Sequence, residues 1–547
     1  MTLPVPDLLC AQAEVRVDAR ALRQALVFGF AAGAPQESFD DVVGAARLPA
    51  SSWRPASFAR DLFVEDLVTK CLAVRVSVAV PPGPRRYVSR VLCGPPTNAA
   101  DRDARRQVLG ELAASPRARS DLERVYLGVV KLRGLLCAPR QPSPRGRRIE
   151  ILRAARETLD GLASSFEGCT SGLARARRFG AAVRESSAYA RLVAYLDHDE
   201  HMGSIDLRVR IGADGEVRAM DLVRVDENRS NPFHVSPVRR FFGRLALFFR
   251  GFRVTAGEVA ERLLVDVFTA LEDPLTLLFQ LFGDAEVLLG ALSFRDRALA
   301  KGLAVSAADV EPHGQGLHLD GLFNPLLLAA GADPVPCDVA TGARAVVIVT
   351  GPNSGGKTRL LQSVAIAQLM GQAGLFVPAR AARIPEASGL FASLFEDARA
   401  DQPEGHLGME LLRIRRLFEE LEPDALVVVD ELCSGTNPSE GEEIARLVLG
   451  LLPELGVRAF VTTHLLQFAA ALARERASEA SGSDALAGAG ALEFLQVELE
   501  GGERPTYRFV TGVAKTSLAK RTAARLGVTR EELVARIRAK RRRSGSP

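Results

Sequence analysis

The sequence predicts an α/β domain with a parallel sheet in the C-terminal half of the chain. An α-helical region carrying a small β insert precedes it. Three observations support this. From Gly316 onward the strand-like runs Ala345–Val349 (AVVIV), Leu426–Val429 (LVVV) and Arg458–Thr462 (RAFVT) alternate with helical segments, as parallel strands joined by crossover helices do. Between about Ala100 and Ala300 apolar residues recur mainly at helical spacing. Within that stretch, Ser204–Val225 (SIDLRVRIGADGEVRAMDLVRV) switches to alternation around Ala213-Asp214-Gly215, a hairpin signal.

Composition bounds the function classes. The 547 residues are too many for one ordinary domain, and 47% hydrophobic with 25% charged residues fits a globular chain with sizeable cores. The net charge of +4, from 70 basic and 66 acidic residues, neither demands nor excludes a nucleic-acid partner. Seven scattered cysteines form no C-x-x-C pair, which reads as reduced thiols rather than a disulfide framework or a zinc site. The N-terminus lacks the basic and apolar regions of a secretory signal. No run of about 18 charge-free apolar residues occurs, so no membrane partner and a cytoplasmic location are expected.

Along the chain, the first 99 residues form an N-terminal domain to which no role attaches, with Val74–Val80 alternating like a strand. Residues 100–310 form the helical region. Its first part reads as two helices broken near Ser115–Pro116, with Asp101 and Ser120–Asp121 as N-cap candidates. The β insert at about 204–225 separates two long helical arms, the second from about Thr255 to Ala300. Residues 311–510 hold the α/β domain, and 511–547 close the chain with two short helices.

The chemistry concentrates in three places. Gly351-Pro352-Asn353-Ser354-Gly355-Gly356-Lys357-Thr358 matches G-x-x-x-x-G-K-[ST], directly after strand AVVIVT and before the apolar-periodic helix RLLQSVAIAQLM. Glycines there let backbone N–H groups wrap phosphates, and the following helix N-terminus attracts their charge. Lys357 is placed for the β- and γ-phosphates of ATP, and Thr358 for Mg²⁺. The second place is Asp430-Glu431 at the end of LVVV, where Asp430 can hold Mg²⁺ and Glu431 can orient or deprotonate water. The third is His464, closing the next strand as Thr462-Thr463-His464, where a γ-phosphate sensor would sit.

In that order and spacing, TGPNSGGKT, GLFVPA, VVVDELCSGTNPSEG and TTH resemble the MutS ATPases. The insert between Lys357 and Asp430 is too short for the helical subdomain of ABC transporters. GTNPSEG (435–441), VPCDV (335–339) and PTYRFVTGVAKTSLA (505–519) resemble the second bacterial MutS branch more closely, which is associated with recombination control and ribosome rescue. The resemblance covers roughly 316–540 and implies a P-loop NTPase fold of the ABC/MutS type, with the helical region as lever and the β insert as clamp. It implies ATP and Mg²⁺ as cofactors, Asn353 touching the nucleotide, Val335 and Pro336 near adenine, and His464 reading the γ-phosphate. It further implies Ser434, Gly435 and Thr436 facing a partner subunit, a homodimer closed by the C-terminal helices, and DNA as ligand. Three departures stand out. The family's trans-acting loop serine is replaced, with Gly405 or His406 at that position in PEGHLGMELLRI (403–414). No mismatch-reading domain is apparent: the Phe-x-Glu triplet Phe63-Val64-Glu65 recurs as Phe418-Glu419-Glu420 inside the ATPase region. A chain ending at Pro547 leaves no room for a Smr domain.

Other clusters carry competing readings. Arg140, Arg145, Arg147, Arg148, Arg153 and Arg156 beside a Pro-rich linker are either DNA phosphate contacts, foremost Arg145, Arg147 and Arg148, or a solvated loop. Arg239–Arg253 reads as a connector helix with snorkelling arginines, against a membrane or nucleic-acid surface. The terminal ARLGVTREELVARI reads as a dimerisation segment, against a helix-turn-helix. His198 and His201 read as a polar turn rather than a metal site. The function expected is an ATPase cycle coupled to a DNA clamp, for mismatch repair or recombination control, on branched or looped DNA rather than mismatched duplex. The rival is a nucleotide-switched scaffold on RNA, ribosome or protein with weak or no hydrolysis.

Overall fold

The computed structural model describes residues 3–76, 83–138, 144–200, 204–211, 217–226, 256–395, 406–433, 437–479, 492–501, 504–516 and 528–544. The chain divides into two compact units, each discontinuous in sequence: Met1–Arg47 with Val76–Tyr87 and Gly110–Glu286, and Leu48–Arg75 with Val88–Leu109 and Val287–Pro547. The first hundred residues, expected to stand together, therefore divide between both units. Val74–Val80 lies largely outside the described residues.

The first unit is helical. The break expected near Ser115–Pro116 is present, between helices Ala99–Ala114 and Pro116–Cys137. The caps differ from those expected. Proline has no N–H to donate and suits the first position of a helix. The second helix therefore restarts at Pro116, and the Ser115 hydroxyl accepts from Ala118 N at 3.2 Å. Asp121 lies inside that helix and accepts instead from Phe166 N at 3.0 Å. Helices Pro144–Ser164 and Gly172–Arg184 approach so closely that a Cβ on Gly180 would stand 2.6 Å from Ala163 N. Strands Ser204–Ile211 and Val217–Asp226 pair antiparallel, Ser204 opposite Asp226, which gives the hairpin predicted there. Ala256–Ala270 is the helix that follows.

Helix Glu272–Ala300 is long and apolar enough to cross a membrane, yet its most apolar window is wholly buried in protein. Two carboxylates in its middle carry protein partners: Asp284 pairs with Arg16 at 2.6 Å, and Glu286 accepts from the Tyr126 hydroxyl at 2.6 Å. A buried acid needs such a partner, and these two mark a core helix.

The second unit is built on a six-stranded sheet. Its strands are β1 (Val346–Thr350), β2 (Leu390–Ser393), β3 (Leu426–Val429), β4 (Arg458–Thr462), β5 (Leu492–Glu500) and β6 (Arg504–Thr511), in spatial order β2-β3-β4-β1-β5-β6. All neighbours run parallel except β5 and β6. Every residue of β1, β3 and β4 is buried, as expected of parallel strands covered on both faces. The helices are α1 (Lys357–Gln372), α2 (His406–Glu420), α3 (Pro438–Leu451) and α4 (Leu466–Glu479). Ile348, Val427 and Val461 of the sheet share one apolar core with Leu449 of α3 and Phe468 of α4. A second sheet of four short strands (Asp309–Glu311, Leu317–Leu322, Cys337–Thr341 and Ala381–Pro385) precedes and interleaves with this one in sequence. Part of the N-terminal chain also belongs here: Trp53 Nε1 donates to Ala387 O at 3.1 Å, and Arg105 Nη1 to Ala373 O at 3.0 Å.

Candidate functional site

The loop between β1 and α1 turns through three positive-φ residues, Gly351 (φ 145°), Ser354 (φ 64°) and Gly356 (φ 88°). Only glycine fits at 351, where a Cβ would meet Val497 Cγ2 of β5 at 2.5 Å. Lys357 opens α1 and is buried, its ammonium folded back onto the loop carbonyls of Gly351 (3.0 Å) and Pro352 (3.2 Å). Burial lowers its pKa below the ordinary lysine value, while the nearby Asp430 and Glu431 charges oppose that shift.

The two acids follow β3. One oxygen of the buried Asp430 accepts from the Thr358 hydroxyl, and the other from the Thr462 hydroxyl at 2.5 Å. Thr462 Oγ1 in turn accepts from Glu431 N at 2.8 Å, so one buried hydroxyl from β4 sets both acids. Glu431 sits in the left-handed region at φ 54°, uncommon for a residue with a side chain. Its Oε1 lies 2.6 Å from His464 Nε2. From α2, Arg413 Nη2 donates to Asp430 O at 2.9 Å, bracing the end of β3 from behind.

These groups border a cavity of about 580 Å³. Asn353 to Thr358 line one side with Glu431, and Val335, Phe323, Leu327 and Tyr507 provide an apolar wall. Pro336 does not line it, nor do Gly351 and Pro352. Asp430 and His464 are not part of the lining but are hydrogen-bonded to Thr358 and Glu431, which are. Sequence reasoning missed Thr462, Phe323, Phe395 and Tyr507. Thr462 lay in the same Thr-Thr-His run that singled out His464. Tyr507 lay in a stretch quoted only for its resemblance; it has φ 62° and would meet a Cβ on Gly356 at 3.3 Å.

The arrangement fits a nucleotide with Mg²⁺. A glycine turn capping a helix N-terminus, with a lysine inside it, is a phosphate cradle. Among the described residues no group of three or more His, Cys, Asp or Glu could hold a metal alone. A hydroxyl and one carboxylate, Thr358 and Asp430, suit an ion that also takes phosphate oxygens and water.

The remaining candidates are placed differently from one another. Ser434, Gly435, Thr436, Gly405 and Arg239–Arg253 lie outside the described residues, as do His201, the side chains of His198 and His406, and the first terminal helix. Arg145 is exposed. Arg147 is only 2% exposed and donates to Gly29 O (2.9 Å), Phe30 O (2.8 Å) and Leu135 O (3.1 Å). It thereby closes the C-terminal end of helix Ala19–Ala32, and burial followed by Arg148 lowers its pKa. Arg148 donates to Phe30 O at 3.2 Å and covers the Phe30 ring. Arg153 and Arg156 pair with Glu150 and Asp197. The three arginines expected to share one role on DNA thus split, because helix-end carbonyls capture two of them.

Strand β1, the glycine loop, helix α1 and the acid-tipped strand β3, one strand removed from β1, define an α/β P-loop nucleotide-binding fold. The family model for MutS domain V matches residues 347–516, from β1 past β6. Relatives named Endonuclease MutS2 match part of the chain. The protein from Thermus thermophilus is 34% identical over 237 residues, covering 43% of this chain and 29% of the relative. That from Thermomicrobium roseum is 33% identical over 258 residues, covering 44% and 31%. That from Pelotomaculum thermopropionicum is 36% identical over 209 residues, covering 37% and 24%. Residues 347–516 are thus similar to the MutS ATPase domain, and each match spans less than a third of the relative's length.

Proposed function

We propose that this chain binds ATP with Mg²⁺ at Gly351–Thr358 and hydrolyses it, and that it works as a cytoplasmic homodimer that couples nucleotide state to DNA held by its helical region. The observation that carries the nucleotide reading is the linked set Thr358–Asp430–Thr462–Glu431 beside the buried Lys357. Lys357 would exchange its two loop carbonyls for the β- and γ-phosphates, with Asn353 beside them and Val335 on the adenine side. Thr358 and Asp430 would hold Mg²⁺, which supplies charge neutralisation across the phosphates when bound. Glu431, on the cavity wall, takes the proton of the water that adds to the γ-phosphorus as the bond to ADP breaks. His464, hydrogen-bonded to that carboxylate, orients it.

Similarity of residues 347–516 to MutS domain V supports the DNA reading, as does the placing of the Ser204–Asp226 hairpin between helical stretches, in the manner of a clamp between levers. We assign 100–310 to that lever role and 511–547 to dimerisation, with the loop at Ser434–Thr436 facing the second subunit. With no mismatch-reading domain evident in the sequence, branched or looped DNA is the expected ligand, for recombination control rather than mismatch correction. The deciding experiment is equilibrium binding of a labelled ATP analogue to Lys357→Ala. Affinity should fall by on the order of 10²-fold, because the one ammonium inside the phosphate loop is gone. Unchanged affinity in a folded variant would remove the site assignment.

A further inference from the structure

The triplet Phe63-Val64-Glu65, set aside above as a mismatch reader, stands beside the nucleotide cavity. Phe63 is held at φ 50°, a region bulky residues adopt only where their surroundings enforce it. Its ring meets that of Phe395 edge to face, with centroids 5.2 Å apart. Phe395 lines the cavity with Thr358 and Ser363. Two residues earlier, the buried Asp61 accepts from Leu394 N at 2.7 Å, just past β2 and next to Phe395 in the chain. The Asp61 carbonyl also accepts from Gln362 Nε2 of α1 at 3.4 Å. Gln362 Oε1 accepts from Asn324 Nδ2 at 3.0 Å and Arg359 Nη1 at 2.8 Å, and both of those residues line the cavity. One short turn, ending 288 residues before Gly351 in sequence, thus touches the cavity wall along two separate routes.

We propose that the Arg60–Phe63 turn is a positioning element of the nucleotide site, with Asp61 fixing the chain at Leu394 and Phe63 holding the Phe395 ring against the cavity. This rests on the nucleotide reading above and deepens it. Without Phe63 the Phe395 ring loses its edge-to-face partner and gains rotamer freedom that ligand binding must remove again. Lys357, Asp430 and Glu431 are untouched, so the effect falls on binding rather than on the chemical step.

The test uses the full chain and a fluorescent methylanthraniloyl-ATP with Mg²⁺, read by anisotropy, beside steady-state hydrolysis. Phe63→Ala should raise Kd about tenfold, the upper end for ordering one aromatic side chain, with kcat within about twofold. Phe63→Leu keeps an apolar contact and should recover to within about threefold, and it carries the comparison if the alanine variant fails to fold. Phe58→Leu, altering the packing of the same segment on Trp53, should leave Kd within about twofold. An unchanged Kd in folded Phe63→Ala, or an equal rise in Phe58→Leu, would overturn the proposal while the nucleotide site stands. No binding by the unaltered chain would overturn the nucleotide reading and this proposal with it.

Discussion

Thr462→Val isolates the hydroxyl that joins the two acids. Valine keeps the β-branched shape and size in a strand residue that is completely buried, so packing of β4 against β1 and β3 is retained. Two interactions vanish: the donation to Asp430 at 2.5 Å and the acceptance from Glu431 N at 2.8 Å. A hydrogen bond to a charged group contributes about 1.5–3 kcal/mol, and an orphaned N–H costs about 1–3 kcal/mol. Solvent and relaxation return part of this, which leaves a net loss of about 2–4 kcal/mol in the ATPase unit, or roughly 5–10 °C in its melting temperature. The larger consequence is geometric. Glu431 is held at a positive φ, and its backbone anchor is this hydroxyl. A misplacement near 1 Å at a reacting group costs on the order of 10²-fold in rate. Steady-state ATP hydrolysis should therefore fall by about that factor, while affinity for the labelled analogue stays within about threefold, since Lys357 and the glycine loop are unaltered. Thr462→Ser restores the hydroxyl and should return kcat to within about threefold. A folded Thr462→Val that hydrolyses ATP within twofold of the unaltered chain would refute the idea that this hydroxyl sets the acids.

Two further outcomes follow from the same geometry. Glu431→Gln should bind ATP normally and turn over on the order of 10²-fold more slowly, as the base is lost with its shape retained. Negligible turnover in the unaltered chain would instead favour a nucleotide-switched scaffold. Arg147→Met should destabilise the helical unit by about 3 kcal/mol or more in urea unfolding, because three carbonyls lose a cationic donor. Arg145→Ala should weaken DNA binding on filters equally across sequences and flatten the salt dependence by roughly one counterion. Arg147→Met with unchanged stability would contradict the structural role given to that guanidinium.

The sequence by itself determined the parts of this protein that are contiguous. A glycine loop between an apolar strand and an apolar helix is a local pattern, because backbone wrapping needs neighbouring residues. The prediction of β1, β3 and β4 rested on the same ground: a strand buried on both faces must be a short unbroken apolar run. Strands β2, β5 and β6 and the second sheet went unread, since their shorter or more polar runs carry no such mark. The helix break at Ser115–Pro116 was legible because proline forces it, although the cap, expected at Ser120–Asp121, is Ser115.

Only the tertiary structure decided which distant groups complete the site. Nothing near Asp430 in the sequence names Thr462 as its partner; the parallel pairing of β3 with β4 brings them together. Asp61 and Leu394 are 333 residues apart in sequence, and their bond exists only because residues 48–75 fold with the second unit. The arginine cluster makes the same point in the opposite direction. Charge count alone cannot separate Arg145 from Arg147, because a guanidinium is exposed to solvent or buried against helix-end carbonyls according to what packs around it. Local pattern follows from backbone geometry over a few residues. Partnership between distant side chains follows from packing, and packing belongs to the folded chain as a whole.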